Sequence, residues 1–195
     1  MFIEPKNNRG WIEVVCGSMF SGKTEELIRR VKRAKIANLK VRIFKPKMET
    51  RYDKMKVVSH DDNHADSFPV DHSEEILRWI DDIEVIGIDE AQFFDEGLPA
   101  ICHQLANMGK RVVIAGLDMD YMGQPFGVMP NLMAMAEYLT KVHAICMQCG
   151  GLAQYSYRFT KSGEQVKLGE KDQYEPRCRS CYIRGMEGQQ ADKRK

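Results

Sequence analysis

The chain has 195 residues, of which 43% are hydrophobic and 29% charged, and this length and composition predict a soluble globular protein with one core domain and a small appendage. No apolar run approaches the ~20 residues of a membrane helix, and the first residues lack the basic and then apolar layout of a secretory signal, so we expect a cytoplasmic protein without a membrane partner. The 29 basic and 28 acidic side chains nearly cancel, which argues against a global field for binding nucleic acid.

The first strong signal is the segment 17–24, which contains glycine, four residues, and then glycine, lysine and threonine. A β-rich apolar run at 11–16 precedes it and a helical pattern at 25–37 follows, as in phosphate-binding loops. The glycines let successive N–H groups face an anion, the lysine can reach the β- and γ-phosphates, and the threonine hydroxyl can bind Mg²⁺. The alternative is an ordinary glycine-bearing turn. The predicted phosphate-binding residues are Gly17, Ser18, Met19, Phe20, Ser21, Gly22, Lys23 and Thr24.

The next segments carry weaker signals. The basic cluster from Arg29 to Lys35 is interpreted as a solvated helix face that complements the helix dipole, and a nucleic-acid site is the less favoured alternative. Residues 40–44 predict a second strand. The polar stretch 46–72 has no long periodic pattern and is either a functional loop or a plain surface excursion. Its cluster from His60 to His64 could bind a metal, although an aspartate near a Mg²⁺-nucleotide is the favoured alternative.

The second strong signal is a short apolar strand at 84–90 that ends in Asp89 and Glu90. It follows a helix predicted at 74–82 with Ser73 as its cap. Ligands bind at the carboxyl edge of parallel sheets, so Asp89 is expected to help hold Mg²⁺, and Glu90 is placed to act as a base on the group that attacks the γ-phosphate. The alternative is a strand followed by an acidic helix cap.

Alternation of helices and strands continues with a helix at 97–107 and a buried strand at 110–117. It predicts an α/β fold of the P-loop NTPase type, with a parallel sheet flanked by helices on both faces. The loop 118–127 should overhang the nucleotide site because it follows a strand of this sheet. Its Tyr121 and Phe126 could flank a flat ring, or they could simply pack in the core.

Four of the six cysteines form two CxxC pairs separated by 28 residues, and in a chain without an export signal such pairs indicate a metal rather than disulfides. Four thiolates fit tetrahedral Zn²⁺ with no open position, so the zinc is expected to be structural. The segment between the pairs predicts an ordered loop, with a zinc ribbon that binds nucleic acid as the alternative. Cys16 and Cys102 are expected to be buried thiols, and the tail from Arg184 onward to be mobile. The predicted zinc ligands are Cys146, Cys149, Cys178 and Cys181.

Three features stand in order along the chain: the loop GSMFSGKT, the strand end IDEAQFF, and the paired CxxC motifs around a long insert. Together they resemble the cytosolic (type II) thymidine kinase family from about Glu13 to Cys181. The resemblance implies residues 1–142 as a nucleotide-binding kinase domain and 143–195 as a small zinc-binding lasso domain. It also implies transfer of the γ-phosphoryl group from ATP to the 5′-hydroxyl of thymidine or deoxyuridine in nucleotide salvage, with Mg²⁺ required.

The resemblance assigns roles residue by residue. The position of Glu90 matches the general base of the family, and Gln92 and Asp61 are placed on the ATP side with the loop 17–24 and Asp89. Tyr121 matches the aromatic residue beside the base, Phe126 lies in the similar Pro-Phe-Gly segment, and Tyr174 matches the tyrosine near the sugar. The lasso is expected to grasp the base through the backbone of Gln165, Val166, Lys167, Leu168 and Gly169.

The resemblance further implies a homotetramer and feedback inhibition by thymidine triphosphate. Two other function classes remain as alternatives. A nucleic-acid-stimulated ATPase would use the zinc module to bind DNA or RNA, but the near-neutral charge of the chain argues against it. A small regulatory GTPase would need a guanine-reading Asn-Lys-x-Asp stretch, and the sequence has no obvious one.

Overall fold

The computed structural model describes residues 9–47, 56–58, 64–159 and 173–192. These residues form eleven strands and four α-helices. The strands are β1 (Trp11–Cys16), β2 (Val41–Pro46), β3 (Lys56–Val58), β4 (His64–Val70), β5 (Val85–Ile88), β6 (Arg111–Gly116), β7 (Tyr138–Lys141), β8 (Ala144–Ile145), β9 (Leu152–Ala153), β10 (Tyr155–Arg158) and β11 (Tyr174–Arg177). The helices are α1 (Lys23–Ile36), α2 (Leu98–Asn107), α3 (Met129–Met135) and α4 (Arg179–Asp192), and short 3-10 helices lie at Ser73–Trp79 and Ala91–Phe93.

The main sheet has the strand order β3-β4-β2-β5-β6-β1-β7. All neighbouring strands run parallel except β3, which is antiparallel to β4. The central strands are rich in valine and isoleucine and are buried on both faces, as parallel sheets require. The predicted α/β fold with a parallel sheet is therefore confirmed.

Helices cover both faces of this sheet. On one face, α1 packs Leu27, Ile28 and Val31 against the strands. On the other face, α2, α3 and the 3-10 helix at 73–79 enclose a larger core. The two cysteines outside the CxxC pairs, Cys16 and Cys102, are buried in this second core, as predicted. Within the described ranges, no helix is both long and apolar enough to cross a membrane.

The strand register brings four chain segments to one edge of the sheet. Cys16, at the end of β1, lies opposite Gly116 of β6 and Lys141 of β7, while Ile88 of β5 lies opposite Ile114. The segments that leave β1, β5, β6 and β7 therefore meet at the carboxyl edge, where open parallel sheets bind their ligands.

A smaller module follows β7. It consists of two antiparallel pairs, β8 with β9 and β10 with β11, and of helix α4. The segment from Arg184 to Asp192, for which the sequence suggested a mobile tail, belongs to helix α4. Gln189 Nε2 donates to the Tyr157 hydroxyl at 2.8 Å, and Gly185 leaves room for the Tyr157 ring. These contacts hold α4 against β10. They could not be predicted from the local sequence, because they join residues about 30 positions apart.

Three local expectations differ from the structure. The segment at 73–79 is a 3-10 helix, and Ser73 does not cap it, because Asp95 accepts hydrogen bonds from the amide and the hydroxyl of Ser73 at 2.7 Å each. The stretch 46–72 contains β3 and β4. The basic face of α1 is only partly solvated, because Arg30 is buried against Glu13, with 2.8 Å between Arg30 Nη1 and Glu13 Oε2.

Candidate active site

The loop at 17–22 connects β1 to α1 and confirms the predicted strand-loop-helix order. Gly17 has a φ of 152°, and a Cβ at this position would lie 2.2 Å from the carbonyl oxygen of Val142, so a larger residue would collide with the backbone. Gly22, with a φ of 82°, turns the chain into the helix. In this shape, the N–H groups at the start of α1 can face an anion.

Two side chains close the loop on itself. Lys23 Nζ and Ser21 Oγ both donate to the carbonyl oxygen of Ser18, each at 2.7 Å. Burial lowers the pKa of the Lys23 ammonium, although the nearby carboxylates of Glu90 and Asp89 favour its charged form. This half-buried ammonium can form a charge-assisted hydrogen bond to a phosphate oxygen.

Asp89 follows β5 and meets the first turn of α1. The Thr24 hydroxyl lies 3.3 Å from Asp89 Oδ2 and 3.4 Å from Asp89 Oδ1. Burial, together with the negative charge of Glu90, raises the pKa of Asp89 to about 7. A buried carboxylate beside a hydroxyl offers the hard oxygen ligands that Mg²⁺ prefers. These two side chains therefore fit a magnesium site.

Glu90 stands next to Asp89 in a left-handed conformation, with a φ of 52°. Its Oε2 accepts a hydrogen bond of 2.6 Å from Gln92 Nε2, and Gln92 Oε1 accepts one of 2.8 Å from the Leu117 amide. Both ends of the Gln92 amide thus have partners within the protein. Gln92 holds the Glu90 carboxylate at the sheet edge and ties it to the segment after β6.

Asp118 lies at the same edge of the sheet, and the sequence pattern did not single it out within the loop 118–127. It is buried at the end of β6, and its Oδ2 lies 2.7 Å from Lys141 Nζ on β7. Because β1 lies between β6 and β7 in the sheet, this ion pair spans the end of β1. Neither Asp118 oxygen accepts a well-formed hydrogen bond from the described residues. The sequence does carry a signal for Asp118: like Asp89 after β5, it is an aspartate that closely follows the end of a buried parallel strand.

The loop after β6 presents aromatic side chains. Tyr121 is half-buried, and the guanidinium carbon of Arg158 lies 3.5 Å from the centre of its ring. Tyr174 of β11 lies opposite Arg158 in the β10–β11 register, so Arg158 has Tyr121 at its guanidinium and Tyr174 beside it on the neighbouring strand. Phe126 is buried and packs edge-on against Phe93 with 5.4 Å between the ring centres. Phe126 therefore supports this loop by packing.

The smaller module contacts the loop after β6 and the loop after β1. The Tyr182 hydroxyl donates to the carbonyl oxygen of Tyr121 at 2.8 Å, and the Met19 amide donates to Ser156 Oγ at 3.0 Å. Neither contact was predicted, because each joins residues that are far apart in the sequence.

The four predicted zinc ligands come together. Their sulfur atoms all lie within 4.8 Å of one another, and the Sγ atoms of Cys149 and Cys178 are 3.7 Å apart. A tetrahedral zinc with Zn–S bonds of about 2.3 Å requires sulfur atoms about 3.8 Å apart. The cluster is therefore compatible with structural zinc.

Several predicted residues lie outside the described part of the chain. These are Asp61 on the ATP side and the base-grasping segment Gln165, Val166, Lys167, Leu168 and Gly169. Their roles stay predictions. Among the described residues, the loop 17–22 meets Asp89 and Glu90 at the carboxyl edge of the sheet, and Tyr121 contacts the smaller module, to which Tyr174 belongs. This arrangement can hold a Mg²⁺-bound polyphosphate next to a flat ligand.

Comparisons with known proteins identify the family of this chain. The family model described as thymidine kinase matches residues 10–182. A thymidine kinase of Bacteroides fragilis is 60% identical over 185 residues, which cover 95% of this chain and 93% of the relative. A thymidine kinase of Bacteroides thetaiotaomicron is 59% identical over 189 residues, which cover 96% and 95%. A thymidine kinase of Rhodothermus sp. is 60% identical over 173 residues, which cover 89% and 81%. The chain belongs to the thymidine kinase family.

Proposed function

We propose that this kinase transfers the γ-phosphoryl group of ATP to the 5′-hydroxyl of thymidine, with deoxyuridine as a second acceptor, in nucleotide salvage. The observation that carries the proposal is the meeting of the phosphate loop, the Asp89–Glu90 pair and the Tyr121 loop at one edge of the sheet. Membership in the thymidine kinase family supports thymidine as the acceptor.

On the donor side, the loop amides and Lys23 bind the β- and γ-phosphates. The Thr24 hydroxyl and the Asp89 carboxylate, 3.3 Å apart, hold Mg²⁺, which when bound neutralises charge on the phosphates. The support is chemical. Both side chains are hard oxygen ligands, and the raised pKa of Asp89 reflects a buried carboxylate that a cation would stabilise.

Glu90 acts as the general base. Its carboxylate accepts the proton of the 5′-hydroxyl while the hydroxyl oxygen forms a bond to the γ-phosphorus and the bond to the bridging β–γ oxygen breaks, releasing ADP. The support is its position beside Asp89 and the hydrogen bond from Gln92, which orients one carboxylate oxygen and leaves the other available.

On the acceptor side, Tyr121 flanks the base and Tyr174 lies near the sugar, while the backbone of residues 165–169 grasps the edge of the pyrimidine. Amide groups matched to a pyrimidine edge would reject purines, because polar groups would then be left unpaired. Zinc in the cluster of Cys146, Cys149, Cys178 and Cys181 is structural and holds the base of this segment.

Three further properties belong to the proposal: a homotetrameric assembly, inhibition by thymidine triphosphate, and a cytoplasmic location. Their support is the family resemblance of the sequence motifs.

The experiment follows labelled phosphate from γ-labelled ATP with Mg²⁺ across a panel of thymidine, deoxyuridine and purine deoxynucleosides. DNA and RNA are added separately as stimulants. We expect labelled thymidine 5′-monophosphate, a smaller yield with deoxyuridine, and no product with purines. Loss of ATP that nucleic acid stimulates, without a nucleotide product, would instead support an ATPase and overturn the proposal.

A further inference from the structure

We propose that Phe20 is a positioning residue that ties the phosphate loop to the cysteine cluster, so that zinc in the cluster raises the affinity of the loop for the phosphates of ATP. The inference rests on the proposed function, because it assigns ATP to this loop. It extends the role of the metal from the acceptor side to the donor side of the site.

The first observation is the backbone of Phe20. Its φ of 62° lies in the left-handed region, which a bulky residue adopts only when its surroundings hold it there. Most positions of the loop that need a positive φ are glycine, as at Gly17 and Gly22. A bulky aromatic residue at such a position indicates that its side chain supplies a contact that glycine could not supply.

The second observation is what the ring contacts. Phe20 packs against a buried apolar cluster formed by Ala144, Ala153 and two of the zinc ligands, Cys146 and Cys181. Both of these cysteines are buried, with 2% and 4% of their surface exposed. The cluster against which Phe20 packs therefore includes two of the metal-binding residues.

The third observation is an independent contact at the neighbouring residue. The Met19 amide donates to the hydroxyl of Ser156, which is buried in β10 of the smaller module, at 3.0 Å. Two consecutive residues at the tip of the phosphate loop are thus held by the smaller module, whereas Ser18, Ser21 and Lys23 bond within the loop.

Metal binding links these contacts to the nucleotide. A small module of this kind gains much of its folding free energy from the metal, so the positions of Cys146 and Cys181 are well defined only when zinc is bound. Without that surface, Phe20 can leave the left-handed region and the loop amides turn away from the phosphates. A smaller fraction of molecules is then competent to bind, and the apparent affinity falls by that fraction.

The test compares Phe20→Ala with the wild type, both loaded with zinc. Calorimetry measures the affinity for Mg²⁺ with a non-hydrolysable ATP analogue, and a colorimetric chelator titration measures bound zinc. We expect Phe20→Ala to keep its zinc but to bind the analogue about tenfold more weakly. Phe20→Leu, which keeps an apolar side chain, should stay within about threefold of the wild type.

The matched control is Phe159→Ala. Phe159 is an exposed aromatic residue of the same module that packs on Tyr157. Its removal should leave the affinity for the analogue unchanged. Zinc-stripped wild type should bind as weakly as Phe20→Ala, and stripping zinc from Phe20→Ala should weaken binding little further. Wild-type affinity in zinc-loaded Phe20→Ala would overturn the proposal.

Hydrogen exchange of the amides in residues 17–24 tests, without any nucleotide present, whether Phe20 and zinc hold the phosphate loop in place. We expect faster exchange in zinc-loaded Phe20→Ala and in stripped wild type than in zinc-loaded wild type. If the zinc-loaded wild type does not bind the analogue, the proposed function is wrong. The exchange rates would still show whether Phe20 holds the loop against the cluster. Equal exchange rates in all three proteins would contradict the claim that Phe20 holds the phosphate loop against the cysteine cluster.

Discussion

Asp89 is a buried carboxylate that must lose its proton before it can bind a cation. Because its pKa in the folded protein is raised to about 7, the protonated form persists well above the pH at which an exposed aspartate ionises. Binding of Mg²⁺ with the ATP analogue should therefore weaken as the pH falls below about 7, approaching tenfold per pH unit. Calorimetric titrations between about pH 5.5 and pH 8.5 measure this dependence.

The terminal phosphate of the nucleotide also titrates in this range, so Asp89→Asn is the control. This variant should bind the Mg²⁺-analogue more weakly at high pH, with only the shallow dependence that the phosphate causes. A wild-type profile as shallow as that of Asp89→Asn would contradict the assignment of Asp89 to the cation.

Gly17 offers a second test at the scale of one residue. Gly17→Ala would place a Cβ 2.2 Å from the carbonyl oxygen of Val142 in a backbone conformation with a φ of 152°. The loop must then move away from β7, so we expect the affinity for the ATP analogue to fall by more than about tenfold while zinc content stays the same. The control is Gly188→Ala, since a Cβ at Gly188 in α4 meets no atom within 4 Å. Unchanged nucleotide affinity in Gly17→Ala would argue against this loop as the phosphate site.

At the scale of an element, α1 is fixed to the sheet by a buried ion network. Glu13 of β1 contacts Arg30 of α1 at 2.8 Å and Arg111 of β6 at 2.7 Å. Arg30→Met should lower the free energy of unfolding by about 1–3 kcal/mol, because it removes one of the two arginine partners of a buried carboxylate. Chemical denaturation measures this change.

The neighbouring arginine is a built-in control for this prediction. Arg29 also binds Glu26, but its side chain is 56% exposed. Arg29→Met should therefore lower the free energy of unfolding by less than about 1 kcal/mol. Equal losses in the two variants would show that burial of Arg30 contributes nothing to the attachment of α1.

The cysteine cluster can be tested as an element in the same way. Cys149→Ser removes one of the four sulfur atoms that lie within 4.8 Å of one another, so zinc should be lost. Thymidine affinity should fall by about tenfold or more, because α4 then holds Tyr182 against the Tyr121 carbonyl less firmly. Metal analysis and thymidine calorimetry measure both effects. Cys102→Ala, at a thiol buried in α2, should retain zinc, and a Cys149→Ser protein with intact zinc and thymidine affinity would contradict this account.

At the scale of the whole molecule, local patterns predicted the frame of the fold. The phosphate loop, the strand that ends in Asp89 and the paired CxxC motifs are each contained in a short stretch, and their physical requirements are local. The parallel sheet followed from the alternation of strands and helices. These parts of the structure could be derived before any contact was known.

The contacts that join these parts could not be derived in the same way. Burial of Arg30, the Asp118–Lys141 ion pair and the packing of Phe20 on the cysteine cluster each join residues that are distant in the sequence. Helix α4 was missed because charged residues and glycines hide the contacts that its inner face makes with β10. Tertiary packing overrides local propensity at such positions.

The measurement that tests the central claim most directly is the turnover of Glu90→Gln. Glutamine keeps an oxygen that can accept the hydrogen bond from Gln92, so the site should retain its shape while the base is lost. We predict wild-type affinities for thymidine and for the ATP analogue, together with single-turnover phosphoryl transfer slowed about 10²–10⁴-fold. Glu96→Gln, at an exposed carboxylate six residues further along, should transfer at the wild-type rate. Transfer by Glu90→Gln at a near wild-type rate, with both ligands bound, would contradict the account.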